Sequence, residues 1–159
     1  MTLHRPSNVD QSNMLREIIE TLIEISKSLQ VIFPLHPRTR QKIQDFSLKI
    51  PDDGNLLLME PIGYLDFLAL QSRSKVVITD SGGVQEETTY LGVPCLTIRE
   101  NTERPITISI GTNSLVGKDM NLLKDEVEKI SKGKIKKGNV PHLWDGEAAV
   151  RIAKVLENL

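Results

Sequence analysis

This 159-residue chain is long enough for one domain with a hydrophobic core, and its 39% hydrophobic and 26% charged residues are those of an ordinary globular protein. A net charge of −1 and 4% aromatic residues leave neither the electrostatic footprint nor the stacking platforms of a nucleic-acid binder. Its one cysteine, Cys95, rules out an internal disulfide, and no stretch approaches the ~20 apolar residues of a membrane span. No secretory signal is read at the start, so a reducing, cytoplasmic setting is expected, with no nucleic-acid and no membrane partner.

In chain order, Asp10 is placed to cap a helix whose apolar positions Leu15, Ile18, Ile19, Leu22, Ile23 and Leu29 recur at helical spacing. Residues 30–35 read as a short apolar strand ending at His36-Pro37, followed by a polar amphipathic helix over 38–46. A buried strand over 55–59 and a helix over 63–72 come next. Residues 75–79 then form the strand that feeds the turn Asp80-Ser81-Gly82-Gly83. The helix after that turn stops at Gly92, a residue suited to ending helices. Strands follow over 93–98, with Cys95 as a small hydrophobe, and over 113–116. Asp119 is placed to cap a helix around 122–130, and the basic stretch 132–137 reads as a solvated turn. The last helix, 147–159, puts Ala148, Ile152, Val155, Leu156 and Leu159 on one face.

Near-continuous apolar strands alternating with helices imply α/β architecture, with a doubly wound parallel sheet of the Rossmann-like kind. Ligands of such sheets sit beyond the carboxyl ends of the strands, where His4, His36, Glu60, Asp80 and Arg99 fall.

Two consecutive glycines at a strand-to-helix turn allow close approach to backbone N–H groups, and a helix N-terminus attracts phosphate. The same residues also serve as a plain tight turn. Neither the Gly-Lys-Ser/Thr of a phosphate-binding loop nor the Gly-x-Gly-x-x-Gly dinucleotide fingerprint is present, and the Gly-x-Ser-x-Gly of serine hydrolases is missing. Glu87, four residues beyond Gly83, shares its helix face and would accept the hydroxyls of a bound ribose. The alternative is a carboxylate favoured there by the helix dipole alone. Arg104, before Pro105, reads as a bidentate phosphate partner or as a solvated charge. His4 and His36 are ligand-edge groups or simple loop residues. The histidines and the cysteine are far apart in sequence, without ligand spacing, so no metal and no cofactor is expected.

Taken together, 3–8 (Leu-His-Arg-Pro-Ser-Asn), 79–87 (Thr-Asp-Ser-Gly-Gly-Val-Gln-Glu-Glu), 91–94 (Leu-Gly-Val-Pro), 99–105 (Arg-Glu-Asn-Thr-Glu-Arg-Pro) and 111–113 (Gly-Thr-Asn) closely resemble the non-hydrolysing UDP-N-acetylglucosamine 2-epimerases. The resemblance runs in order over nearly the whole chain. It departs at Ile106, where many members carry Glu, and at Leu3, where many carry Gly. It implies one half of a glycosyltransferase-B-like fold: residues 1–159 as the C-terminal, UDP-binding domain, with the N-terminal domain absent.

The family's reaction eliminates UDP across C1–C2 of UDP-GlcNAc to give a 2-acetamidoglucal. UDP then adds back after protonation on the opposite face of C2, giving UDP-ManNAc. The resemblance implies that Ser81, Gly82 and Gly83 hold the diphosphate, Glu87 the ribose hydroxyls, and Tyr64 the uracil side. Arg5 and His36 would line the substrate cleft, Arg104 would lie against the phosphates and the reacting sugar, and His4 would face the reacting centre. The carboxylates assigned to proton transfer belong to the other domain, so this chain alone is expected to bind UDP or UDP-GlcNAc and to turn over nothing. The alternatives are a non-catalytic nucleotide-sugar-binding module and the donor half of a glycosyltransferase. Loss of the partner domain would expose apolar surface and favour self-association, a homodimer in the simplest case.

Overall fold

The alternation read from the sequence is borne out in a computed structural model, which describes residues 1–51 and 54–158. The chain runs α1 (Pro6–Val9), α2 (Ser12–Ser26), β1 (Val31–Pro34), α3 (Pro37–Asp45), β2 (Leu56–Met59), α4 (Tyr64–Ser72), β3 (Val77–Thr79) and α5 (Gly82–Leu91). It continues with β4 (Cys95–Thr97), α6 (Pro105–Ser109), β5 (Asn113–Leu115), α7 (Met120–Ser131) and α8 (Ala148–Leu156).

All strand pairs are parallel. β1 pairs with β2, and β3–β4–β5 form a second ladder in which Val77 faces Cys95 and Cys95 faces Asn113. The chain start joins the two ladders: the Met1 amine donates to the Ile32 carbonyl at 2.6 Å and the Thr2 N–H to the Ile78 carbonyl at 3.0 Å.

Alternation along the strands sends side chains to two cores. Ile78, Leu96 and Val116 pack with Leu15, Ile18 and Leu22 of α2 and with Leu123 and Val127 of α7. Val77, one residue from Ile78, turns the other way and packs with Val84 of α5 and Phe67 of α4. Helices therefore cover both faces, as in a doubly wound sheet.

Several local expectations need correction. Asp10 ends α1 rather than capping α2, and its carboxylate pairs with Arg38 instead. Leu29 lies beyond the end of α2 but still packs against the core. β2 is only half buried, because it is an outer strand whose Leu57 and Met59 remain exposed. The turn at 132–137 is not wholly solvated: the Lys136 ammonium donates to the carbonyls of Ile108 and Asn113, and burial lowers its pKa. Helices α1 and α6, each opening on a proline, are too short to show a hydrophobic period.

Two termini fall as expected. Gly92 closes α5 at φ +70°, a left-handed conformation that glycine takes without strain. Asp119 caps α7 by accepting from the Asn121 and Leu122 amides. The apolar side of α8 is real but uncovered, with Ile152 60%, Val155 63% and Leu156 63% exposed, while Leu159 lies outside the described residues. No described helix is long and apolar enough to cross a membrane.

Candidate functional site

The site is built outward from Asp80, at the carboxyl end of β3. Its carboxylate is fully buried and accepts from the amides of His4 and Arg5, from Asn8 Nδ2 and from His4 Nδ1 at 3.0 Å. Burial pushes its pKa up, but the bond from the His4 side chain, the Arg5 and His4 amides and Asn8 outweigh that and hold it below the ordinary value. The Thr39 hydroxyl donates to the Leu3 carbonyl, so the His4-Arg5 segment is pinned from two sides. Asp80 thus sets the position of two candidate residues without being exposed itself. Its place at the ligand edge was legible in the sequence. Its role as their anchor was not, because the partners lie some 75 positions away in the chain.

With Nδ1 directed at Asp80, the far nitrogen of His4 is the one left for a ligand. The rings of His4 and His36 lie 5.5 Å apart between centroids. His36 also begins α3, where its Nδ1 accepts from the Arg38 amide. Both histidines line a cleft of about 250 Å³ that also contains Leu35, Pro61, Ile62 and Ser81.

Ser81 precedes α5, but its side chain caps no amide of the first turn, and so leaves those donors available. A Cβ built on Gly83 would meet nothing within 4 Å, so the approach to these donors is open. Gly82 is the opposite case. A Cβ there would lie 2.8 Å from Glu103 Oε1 and 3.8 Å from the Arg104 side chain, so the loop carrying both residues packs on this glycine.

Three arginines gather at this helix start. Arg5 and Arg99 pair with Glu103 at 3.1 and 2.7 Å, and Arg104 Nε lies 2.8 Å from a Glu86 carboxylate oxygen. The Glu103 carboxyl is held below its usual pKa by its own backbone amide, and then by Arg99 and Arg5. Three guanidinium groups against two carboxylates leave an excess of positive charge beside the free amides, an arrangement suited to an anion with several oxygens.

The loop is held by a buried polar network. Gln85 accepts from the Thr102 hydroxyl at 2.6 Å and from Asn113 Nδ2 at 3.2 Å, and Thr97 donates to Asn113 at 2.6 Å. Asn113 also donates to the Thr107 hydroxyl, which in turn donates to the Arg104 carbonyl, while the Arg104 amide donates to Thr102. The Gly111-Thr112-Asn113 and Thr102–Pro105 segments are therefore parts of one device that fixes Arg104. Gln85, Thr102 and Asn113 were missed as site supports, because polar residues in a helix and in loops show no period that marks them as buried.

The remaining candidates lie elsewhere. Tyr64, 62% exposed, and Glu87 line a second hollow of about 490 Å³ with Leu68, Tyr90 and Trp144, rather than the cleft of His4 and Ser81. The Glu87 carboxylate accepts from Gln71 Nε2 at 2.6 Å, which ties α5 to α4. Of the neighbours Glu86 and Glu87, it is Glu86 that meets Arg104. Glu60, past β2, pairs with Arg40 at 2.9 Å.

Known proteins similar to this chain fall in one family. Residues 1–157 match the family profile described as UDP-N-acetylglucosamine 2-epimerase. The UDP-N-acetylglucosamine 2-epimerase of Methanocaldococcus jannaschii is 41% identical over 98% of this chain and 43% of its own length. Its crystal structure in complex with UDP-GlcNAc and UDP superposes with a TM-score of 0.85, at 40% identity, over 99% of this chain and 44% of that one. A UDP-2,3-diacetamido-2,3-dideoxy-D-glucuronate 2-epimerase of Pseudomonas aeruginosa is 38% identical over 99% of this chain and 44% of its own length. The chain thus spans less than half the length of these relatives.

Proposed function

The chain belongs to the UDP-N-acetylglucosamine 2-epimerase family, and on that premise we propose that it is the UDP-binding half of an epimerase interconverting UDP-GlcNAc and UDP-ManNAc. The observation that carries this reading is the open, uncapped start of α5 at Ser81-Gly82-Gly83, ringed by Arg5, Arg99 and Arg104. Such a cradle holds a diphosphate and stabilises the negative charge that develops on UDP as its bond to C1 breaks. In the cradle, first-turn amides of α5 take phosphate oxygens, Arg104 adds a bidentate contact, and Arg5 exchanges Glu103 for the ligand.

His4, oriented by Asp80, presents its free nitrogen to the reacting sugar, and His36 lines the same cleft. Glu87 reads the ribose and Tyr64 the uracil side, which takes the nucleoside from the cleft across α5 towards the second hollow. Epimerisation also requires a group that moves the C2 proton and walls that keep the glycal intermediate beside UDP. The carboxylates for that proton transfer are assigned to the N-terminal domain, so the chain alone binds UDP or UDP-GlcNAc and does not turn it over.

Calorimetric titration with UDP tests the cradle: binding by the parent and its loss in Ser81→Ala and Glu87→Ala are expected, and equal binding by all three sinks the assignment. Mixing the chain with a separately expressed N-terminal half of a relative tests the split enzyme. Formation of UDP-ManNAc from UDP-GlcNAc supports it, while stable binding without turnover favours a non-catalytic module. Turnover by the pure chain would remove the claim of inactivity.

A further inference from the structure

The residue that α4 buries is polar: Gln71, in its last turn, is 2% exposed. Glutamine is rarely buried so fully, because its amide must find partners that replace water. Phe67, one turn earlier on the same face, packs with Val77 and Val84. Glu87 lies one turn beyond Val84 on α5, and there Gln71 Nε2 donates to Glu87 Oε2 at 2.6 Å. The amide takes only this orientation. Reversed, its oxygen would face a carboxylate, two acceptors with no proton between them. Gln71 Oε1 is buried with no hydrogen-bond partner among the described residues, so the bond to Glu87 is what holds the amide.

We propose that Gln71 is a positioning residue for sugar recognition: it fixes the Glu87 carboxylate to receive the 2′ and 3′ hydroxyls of a ribose, so that preference for a ribonucleoside diphosphate over its deoxy counterpart depends on α4. The inference rests on the ribose role proposed for Glu87 and names the group that sets it. Glu86, the neighbour of Glu87, is taken by Arg104, whereas no lysine or arginine pairs with Glu87 among the described residues. A neutral amide holds one carboxylate oxygen in place and leaves the negative charge for the ligand. An ionised carboxylate has about four lone-pair sites, so after the bond from Gln71 both oxygens keep room for a hydroxyl. Hydroxyls bind a charged acceptor more strongly than a neutral one. Glu87 is half-buried on the rim of the hollow it shares with Tyr64, where an unheld side chain would have to be ordered by the ligand at a cost in affinity. The bond from Gln71 supplies that order beforehand.

Calorimetry with UDP and with 2′-deoxy-UDP, on the parent and on Gln71→Met, tests this role; methionine keeps the unbranched shape and removes the donor. The parent is expected to prefer UDP by about tenfold or more, and Gln71→Met to weaken UDP about fivefold while changing 2′-deoxy-UDP by less than about twofold. A purely structural glutamine would weaken both nucleotides alike, and an unchanged ratio overturns the proposal while leaving the cradle standing. Equal affinity of the parent for the two nucleotides removes the ribose role of Glu87 and this inference with it. A parent that binds neither overturns the cradle reading as well. The unaltered chain gives a second reading that does not depend on the variant folding: the Gln71 side-chain amide resonances are expected to shift on adding UDP and to shift less with 2′-deoxy-UDP. Resonances that ignore UDP while it binds overturn the proposal.

Discussion

The carboxylate of Asp80, with no exposure to solvent, lies 3.0 Å from Nδ1 of His4 and also receives the backbone amides of His4 and Arg5. One buried anion therefore fixes both the ring orientation of His4 and the path of the segment that carries Arg5. Because its pKa is lowered in the fold, its contribution is fully present above the ordinary aspartate value of ~3.9 and is lost as pH falls through the native value. Asp80→Asn is expected to lose about 2–3 kcal/mol at pH 7 in urea unfolding, with the gap to the parent shrinking at acid pH. A variant as stable as the parent at pH 7 contradicts the anchoring role.

Two glycines separate binding from stability. At Gly82 an added methyl meets the mobile end of Glu103, which can move, so Gly82→Ala is expected to cost under about 1 kcal/mol while weakening UDP binding about tenfold or more. At Gly111 the methyl meets Thr89 and lies 2.7 Å from the Thr107 carbonyl, which is backbone. Gly111→Ala is expected to cost ~2 kcal/mol or more by overpacking. Thermal unfolding beside calorimetry of UDP distinguishes the two outcomes.

Asn113 connects β5 to the loop of Arg104 through Gln85, Thr97 and Thr107. Asn113→Ala leaves several buried partners unpaired, with an expected loss of ~2–3 kcal/mol and weaker UDP binding from a loosened Arg104. Hydrogen exchange over residues 102–107 should rise in this variant, and unchanged exchange would disconnect the loop from the network.

The Met1 amine gives a pH signature of opposite origin. It is a base whose native value, about 5, lies below the free value of 8.0, so the unfolded chain holds more protons between them. Stability from this group therefore rises as pH increases from about 5 to 8 and is penalised below. Acetylation of the N-terminus is expected to flatten that rise in chemical denaturation at stepped pH; an identical slope after acetylation would refute it.

The exposed side of α8 carries Val150, Ile152, Val155 and Leu156 with no neighbour covering them among the described residues. Sedimentation velocity is expected to show concentration-dependent self-association of the chain, reduced by Ile152→Glu with Val155→Glu. A monomer at all concentrations would count against it.

The order of the strands and of the longer helices, the end of α5 at Gly92, the cap at Asp119 and the glycine turn were legible in the chain alone, because each is written in local periods and in residues with special backbone demands. The family was legible there too, through motifs too specific to arise from composition. Packing in three dimensions was needed to show that Asp10 pairs with Arg38, that Lys136 is partly buried, that Asp80 anchors His4, and that Tyr64 and Glu87 face a different hollow from Ser81. Those relations join residues distant in the chain, and their partners are chosen by how helices and strands pack. A buried polar network such as Gln85–Asn113–Thr107 follows no sequence period, since its satisfaction depends on three-dimensional geometry alone.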